Sequence, residues 1–422
     1  MTANTGIKFY MHTNNNAPQL TNNFGCMLSV LDACLVNGIQ IGAISSLTAA
    51  GTIVTAVFSA AHNLMPYQVV QIEGANQSEY NVEIRVLTVP NSTTITFQLA
   101  SAPTVSPATG FITAKLPALG WEKPFSSTSA TGGKGAYRSK NLMLPSRPFL
   151  RVVDELDPAY TATYAKFAKV GIVEDMTDID TMLGVQAPYD SAAPNKNWVG
   201  AGSGTTAING WARWYYAASG SVSGGLINSQ TPAAGNRKWI LVGNSDYFYI
   251  LPTTTTPSAT VNTQHASAYG FGAFKSLLNA DNSCTFMQSH LTLSNNGASV
   301  NVNFGLVSSL ASSSLLLLRD YAQSANYKTA NCLSLSSDTA GSGVNNVIGA
   351  STLTNTAPFA PVFIKEDTTS VLRGQIKNLF WLFQQKPYSN FQLIEKDGAL
   401  YIAAFIASTL NLGQIVLKIG DL

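Results

Sequence analysis

The chain has 422 residues, enough for two or three cores, and its 45% hydrophobic and 10% aromatic content excludes a disordered polymer. Only 11% is charged, and 24 basic against 22 acidic residues leave a net charge of +2, so there is no electrostatic drive toward nucleic acid and no Lys/Arg cluster to supply a local one. Ser, Thr, Asn, Gly and Ala stand where charge would be, a surface suited to packed assemblies, in which every buried charge must be desolvated and paired.

Residues 7–12 alternate as a short strand, and 13–19, with Pro18, form a turn-rich connector. The first residues lack a basic stretch before an apolar run, so synthesis in the cytoplasm without a secretion signal is expected. The longest apolar runs, 315–318 and 401–407, are strand-sized, far short of the ~18 residues of a membrane span, and no membrane partner is expected.

Over 21–38 the period changes. Phe24, Met27, Leu28, Leu31 and Leu35 share one stripe of a helix, with Thr21, Asn22 and Asn23 as side-chain N-caps and Gly38 as its stop. Phe24, Leu28, Leu31 and Leu35 are candidate interface residues. The helix stands just before a stretch of different texture, which makes it a bracket between that stretch and the main body. Five short strands, 53–59, 67–73, 82–89, 93–99 and 111–116, follow with close turns, the pattern of a small antiparallel barrel or sandwich.

Within this stretch, Ala-Ala-His-Asn-Leu at 60–64, Val-Val-Gln-Ile-Glu-Gly-Ala at 69–75, Tyr-Asn-Val at 80–82 and Thr-Ile-Thr-Phe at 94–97 resemble a small β-module found in bacteriophage structural proteins. That module is named after the first catalytic cysteine half-domain of ubiquitin-activating enzymes. The segment has no cysteine, so the resemblance implies no such chemistry, and His62 reads as a structural loop histidine. Further pieces, Lys8–Met11 with His12, 31–38, Gly-Trp-Glu-Lys-Pro-Phe-Ser at 120–126, Ala-Tyr-Arg-Ser at 136–139, 149–152, 174–180 and Leu-Arg-Gly at 372–374, resemble a family of tailed-phage virion structural proteins. The resemblance implies a virion component, of tail or baseplate type, that forms homo-oligomers and meets other virion proteins.

The main body reads as β. A strand is expected over 163–173, and 238–243 with 246–251 form a hairpin around Asn244 and Ser245, with arms apolar enough to be covered on both faces. Residues 201–210 and 219–234 read as long Gly- and Ser-rich loops. Between them lie Trp211, Trp214, Tyr215 and Tyr216, read as core or interface aromatics, with sugar stacking as the sharper alternative. Residues 334–357 form a polar linker, and strands over 361–365, 377–383, 391–395, 399–406 and 414–419 follow, with a hairpin turn at Lys396, Asp397 and Gly398.

No candidate motif for chemistry is complete. Thr131-Gly132-Gly133-Lys134 lacks the first Gly and the Ser or Thr of a phosphate loop, and Val222 stands where a nucleophile elbow needs Ser. His12, His62, His265 and His290 are scattered, and Cys26, Cys34, Cys284 and Cys332 form no C-x-x-C pair, so they read as reduced, buried thiols. The carboxylates Asp154, Glu155 and Asp157, and Glu174, Asp175, Asp178 and Asp180, complete no calcium loop and read as partners of Arg138, Arg147 and Arg151. No catalytic, cofactor or metal residue is assigned.

The expectation is a mainly β chain of antiparallel sandwich- or barrel-like domains with one N-terminal amphipathic helix and an inserted small β-barrel module. The predicted domains are 1–42, strand and helix; 43–117, the insert; 118–333, the main body; 334–357, the linker; and 358–422, a C-terminal β domain. The expected function is that of a non-enzymatic virion subunit of the tail or baseplate, made in the host bacterial cytoplasm. A head-decoration or collar protein and a host-glycan-binding adhesin are the alternatives, with a depolymerase behind them.

Overall fold

Runs of Val, Ile, Thr and aromatics between Gly-, Asn- and Pro-marked turns favour strands, and in the computed structural model they form three units: a closed six-stranded barrel, a seven-stranded sheet and a thirteen-stranded sheet. The structure describes residues 4–202, 210–219, 228–256, 266–291, 315–333, 359–382, 388–407 and 412–422. Every strand ladder among them is antiparallel, so the mainly β expectation holds. The expected linker and His265 lie outside the described residues, as do 203–209 and 220–227 of the two loops.

The barrel runs Ile39–Ala50, Ile53–Phe58, Thr94–Gln98, Glu83–Asn91, Val69–Ala75 and Gly110–Leu116, which pairs back with the first. Leu47, Val54, Ala56, Ile72, Val86, Ile95 and Phe97 fill it. The sixth strand, Ile39–Ala50, was not foreseen, and the unit starts at 39 rather than 43, because this strand leaves the helix stop at Gly38 without a loop. Ile39 pairs with Leu116, so the chain enters and leaves the barrel at one place. Its outer face is tied to the N-terminal strand by polar groups. Gln68 and Asn14 exchange amide hydrogen bonds of 2.9 Å, Gln68 also donates to the Phe9 carbonyl at 3.1 Å, and Lys8 pairs with Glu83 at 3.2 Å. Arg85 donates to the carbonyls of Asn4 and Tyr67, and the Tyr67 hydroxyl donates to Glu395.

The shorter sheet is ordered His290–Leu291, Ala212–Ala217, Lys166–Met176, Phe149–Glu155, Gly132–Ser139, Trp121–Ser129, with Met182–Ala187 also on Lys166–Met176. Period-two alternation sends Leu150 and Val152 into the main core, and Phe149 and Val153 into a smaller cluster with Met176 and Trp198 on the opposite face. The Thr131-Gly132-Gly133-Lys134 stretch lies at the turn between Trp121–Ser129 and Gly132–Ser139. Gly132 has φ 124°, and a Cβ there would sit 2.0 Å from the Asp154 carbonyl oxygen, so the close approach of the neighbouring strand requires glycine.

The longer sheet is ordered Lys8–Met11, Trp239–Gly243, Tyr247–Pro252, Tyr269–Ala273, Thr285–Gln288, Leu315–Leu317, Lys328–Leu333, Phe359–Glu366, Leu372–Leu382, Leu412–Asp421, Ala399–Ala407, Leu393–Lys396, with Lys275–Ser276 on Leu372–Leu382. The hairpin around Asn244 is buried on both faces, as its composition required. Trp239, Leu241, Phe248 and Ile250 pack in the core shared with the shorter sheet. Ile240, Val242, Tyr249 and Leu251 pack with Ile402, Ile415 and Leu417 in a second core. The last strands thus cover the other face of the first ones. This corrects the expected separate C-terminal domain: the strands from 359 onward continue the body's own sheet and close its second core. The Lys396–Gly398 turn is as expected, with Asp397 at φ 52° and Gly398 at φ 73°.

The helix spans Cys26–Leu31 as an α-helix and continues over Asp32–Asn37 as a π-helix, ending at Gly38 with φ 78°. Its buried face is Met27, Val30, Leu31, Cys34 and Leu35, whereas Phe24 and Leu28 lie half-buried at its flank. The expected caps are corrected too. Gly25 holds the N-cap position, no side chain of the segment caps the helix, and the Met27 N–H donates instead to Asp154 Oδ2 at 3.0 Å, across 127 residues of chain. A carboxylate brought in by the adjacent strand meets the orphan N–H groups of the first turn, which also carry the positive end of the helix dipole.

Candidate interaction site

The aromatics read as interface or sugar-stacking residues are inside the chain. Trp214, Tyr215 and Tyr216 are fully buried and Trp211 nearly so. Trp214 Nε1 donates to the Gln288 carbonyl at 2.8 Å and its ring stacks on Tyr269 with centroids 5.7 Å apart; Tyr216 donates to Asp154 Oδ1 at 2.5 Å. A sugar cannot stack on a ring without exposed surface, so the platform reading is set aside. Leu31 and Leu35 are also core residues. Leu28 is half-buried against that core, and Phe24 lies under the Lys166 ammonium at 5.0 Å. These eight side chains pack against the chain itself.

The carboxylates are matched largely by cations. Asp180 meets Arg151 at 2.6 Å and Lys134 at 2.8 Å, Asp157 meets Lys169 at 3.0 Å in a buried pair, and Glu174 meets Arg319. Arg138 takes Glu122 rather than a member of either cluster, at 2.5 Å. Among the described residues no group of three or more His, Cys, Asp or Glu could hold a metal ion. His62 is buried, accepts the Leu64 N–H at 2.9 Å and leans on Phe58. Burial pushes the Cys26 thiol up to about 12 and raises Cys34 well above its ordinary value, which keeps both as unreactive thiols. No helix among the described residues is long and apolar enough to cross a membrane.

The surface draws attention instead to the connection after Gly132–Ser139. Leu142 and Met143 stand side by side with 77% and 89% of their surfaces exposed. The loop is held by hydrogen bonds on its N-terminal side. Asn141 accepts the Met143 N–H at 3.0 Å through its own side chain and donates to Asp246 Oδ1 at 2.7 Å. The Lys140 N–H donates to the Gly120 carbonyl at 3.1 Å. Lys140 and Arg147 flank the pair in sequence, and among the described residues neither forms an ion pair; Lys140 is exposed, whereas half-buried Arg147 donates to the Ser139 carbonyl at 2.9 Å. Sequence reading missed this site because Leu-Met-Leu at 142–144 resembles a fragment of core. The available signal was its setting between Asn141 and Pro145 with no strand alternation on either side.

Two clefts are also present. One, of about 440 Å³, lies at the seam of the two sheets, between Ser146 and Arg147 of the same loop, Glu174, and Ser283, Arg319 and Gln323. Next to it Arg373 is buried between Asp281 at 2.9 Å and Glu366 at 2.7 Å. The other, of about 520 Å³, lies between barrel and body, with Ile84, Leu87, Leu99, Leu400 and Leu422 in its walls and Glu79 and Glu83 among its acidic groups. Arg85, its cation, is engaged by backbone carbonyls, and desolvation lowers it to about 10.

No family model matches the chain, and no curated protein matches it. Nothing found therefore supports the resemblance of the barrel to the ubiquitin-activating half-domain. Among solved structures the chain is similar to a phage phi92 endosialidase, with 10% identity and a TM-score of 0.16, over 91% of this chain and 52% of that one. The chain thus spans about half the length of that structure. A likeness at this level carries no argument about fold or function.

Proposed function

We propose that this chain is a non-enzymatic structural subunit of a tailed-phage virion, placed in the tail or baseplate, and that it acts by associating with copies of itself and with other virion proteins. The observation that carries the reading is the exposed, hydrogen-bonded Leu142–Met143 pair, with Lys140, which has no carboxylate partner among the described residues, two residues before it. Such a surface gains free energy when a neighbour covers it and serves no purpose inside this chain. The low charge density supports it, because contacts between uncharged polar surfaces avoid the desolvation of unmatched ions. The short sequence pieces that resemble virion proteins set the particle as the place to look. The burial of Trp214, Tyr215 and Tyr216 removes the feature on which the glycan-binding alternative rested.

The test is antibody labelling of purified particles imaged by electron microscopy. Label on the tail or baseplate is the expected outcome. Label on the head or neck transfers the subunit to the decoration or collar reading, and absence from particles overturns the virion assignment.

A further inference from the structure

The two surface features differ in shape and in charge, and neither lines the other. The loop presents a protruding apolar pair with the exposed Lys140 two residues before it. The barrel–body cleft is a recess of about 520 Å³ with apolar walls and with Glu79 and Glu83 among its acidic groups. Glu79 is half-buried, bound through Oε1 to the Thr104 hydroxyl at 2.7 Å and N–H at 3.0 Å, and has no cationic partner among the described residues. Glu83 has only Lys8. Arg85 turns its guanidinium to backbone carbonyls rather than to these carboxylates. An apolar protrusion with one unpaired cation, Lys140, therefore has a suitable counterpart on another part of the same surface, an apolar recess with one unpaired carboxylate, Glu79.

We infer that the Leu142–Met143 protrusion of one copy docks in the barrel–body cleft of a second copy, with Lys140 of the first meeting Glu79 of the second. Leu142 and Met143 fill the recess against Val82, Leu87 and Leu422, which keep exposed apolar surface there, and the charges set the orientation. The contact uses two different patches, so it is heterologous: each copy offers a free protrusion and a free recess, and repetition closes into a ring or extends as a filament. The inference rests on the associating-subunit reading above and specifies the surface through which association occurs.

Sedimentation velocity on the full chain tests it. The paired variant Leu142→Ser with Met143→Ser changes only exposed side chains, and it is expected to weaken self-association by on the order of tenfold or more with an unchanged circular dichroism spectrum. Charge reversal is the sharper arm. Lys140→Glu alone places two negative groups at every contact and Glu79→Lys alone places two positive groups, so each is expected to weaken association by about tenfold. An equimolar mixture of these two variants restores an opposite-charge pair at every alternating contact, and association is expected to return. Failure of the mixture to recover, or full association of the Leu142→Ser, Met143→Ser chain, overturns the docking. A wild-type chain that stays monomeric at about 100 μM overturns it as well. Association through another surface, with the protein still found in particles, removes this inference and leaves the subunit reading standing.

Discussion

Replacing Asp154 by Asn isolates the contact on which the N-terminal helix depends. The carboxyl is fully buried, and that burial pushes it up from its ordinary 3.8 to about 6, against the hydrogen bonds from Tyr216 and from the first-turn N–H groups that pull it down. The folded chain therefore holds this proton more tightly than the unfolded chain does. The stabilisation is complete below the unfolded value near 4 and is lost as pH rises through about 6. Each pH unit between those limits is worth about 1.4 kcal/mol, so the contribution amounts to about 3 kcal/mol. Asparagine keeps an acceptor for the Met27 N–H and does not titrate. Urea unfolding followed by tryptophan fluorescence, at steps from pH 4 to pH 7.5, gives the stability of both proteins, and subtraction cancels the other carboxylates. The wild type is expected to lose about 2.5 kcal/mol relative to Asp154→Asn across that range, the first part of the loss lying below pH 4. A gap that does not change with pH, or one that moves the other way, refutes the account of a desolvated carboxylate at this helix end.

Leu31→Asp places an unpaired charge in the core beneath the helix and is expected to yield only insoluble protein, read from the soluble fraction after expression. Arg373→Met strands Asp281 and Glu366, both buried, and is expected to cost about 3–5 kcal/mol in urea unfolding; a loss below about 1 kcal/mol would mean that the carboxylates find other partners. Trp214→Ala removes a fully buried ring stacked on Tyr269 and is expected to cost about 3–5 kcal/mol without changing association, since the ring reaches no surface. Because Ile39 and Leu116 pair, replacing 39–116 by a short glycine–serine link is expected to leave a folded body with dispersed amide resonances, and an unfolded product would make the barrel an inseparable part of the core.

What local sequence determines here is whatever acts over a few residues. Alternation located the barrel strands after the first. The buried hairpin arms around Asn244 followed from apolar residues on both faces, and the Asp397–Gly398 turn from two residues that tolerate positive φ. The helix was legible from its period, but its cap was not, because Asp154 lies 127 residues from Met27 and only the sheet brings them together. The C-terminal strands were visible as strands, yet their membership of the body's sheet depends on Phe359–Glu366 pairing with Lys328–Leu333, segments that are not neighbours in sequence. Aromatic composition could not separate a core Trp214 from an exposed one, since both uses draw on the same side chain. Nor could it show that Leu142 and Met143, apolar in a mainly apolar sheet protein, stand in solvent. Period and turn chemistry are properties of neighbouring residues and survive in one dimension. Which charge meets which helix end, and which hydrophobic group is left uncovered, are decided by contacts between distant segments and exist only once the chain has folded.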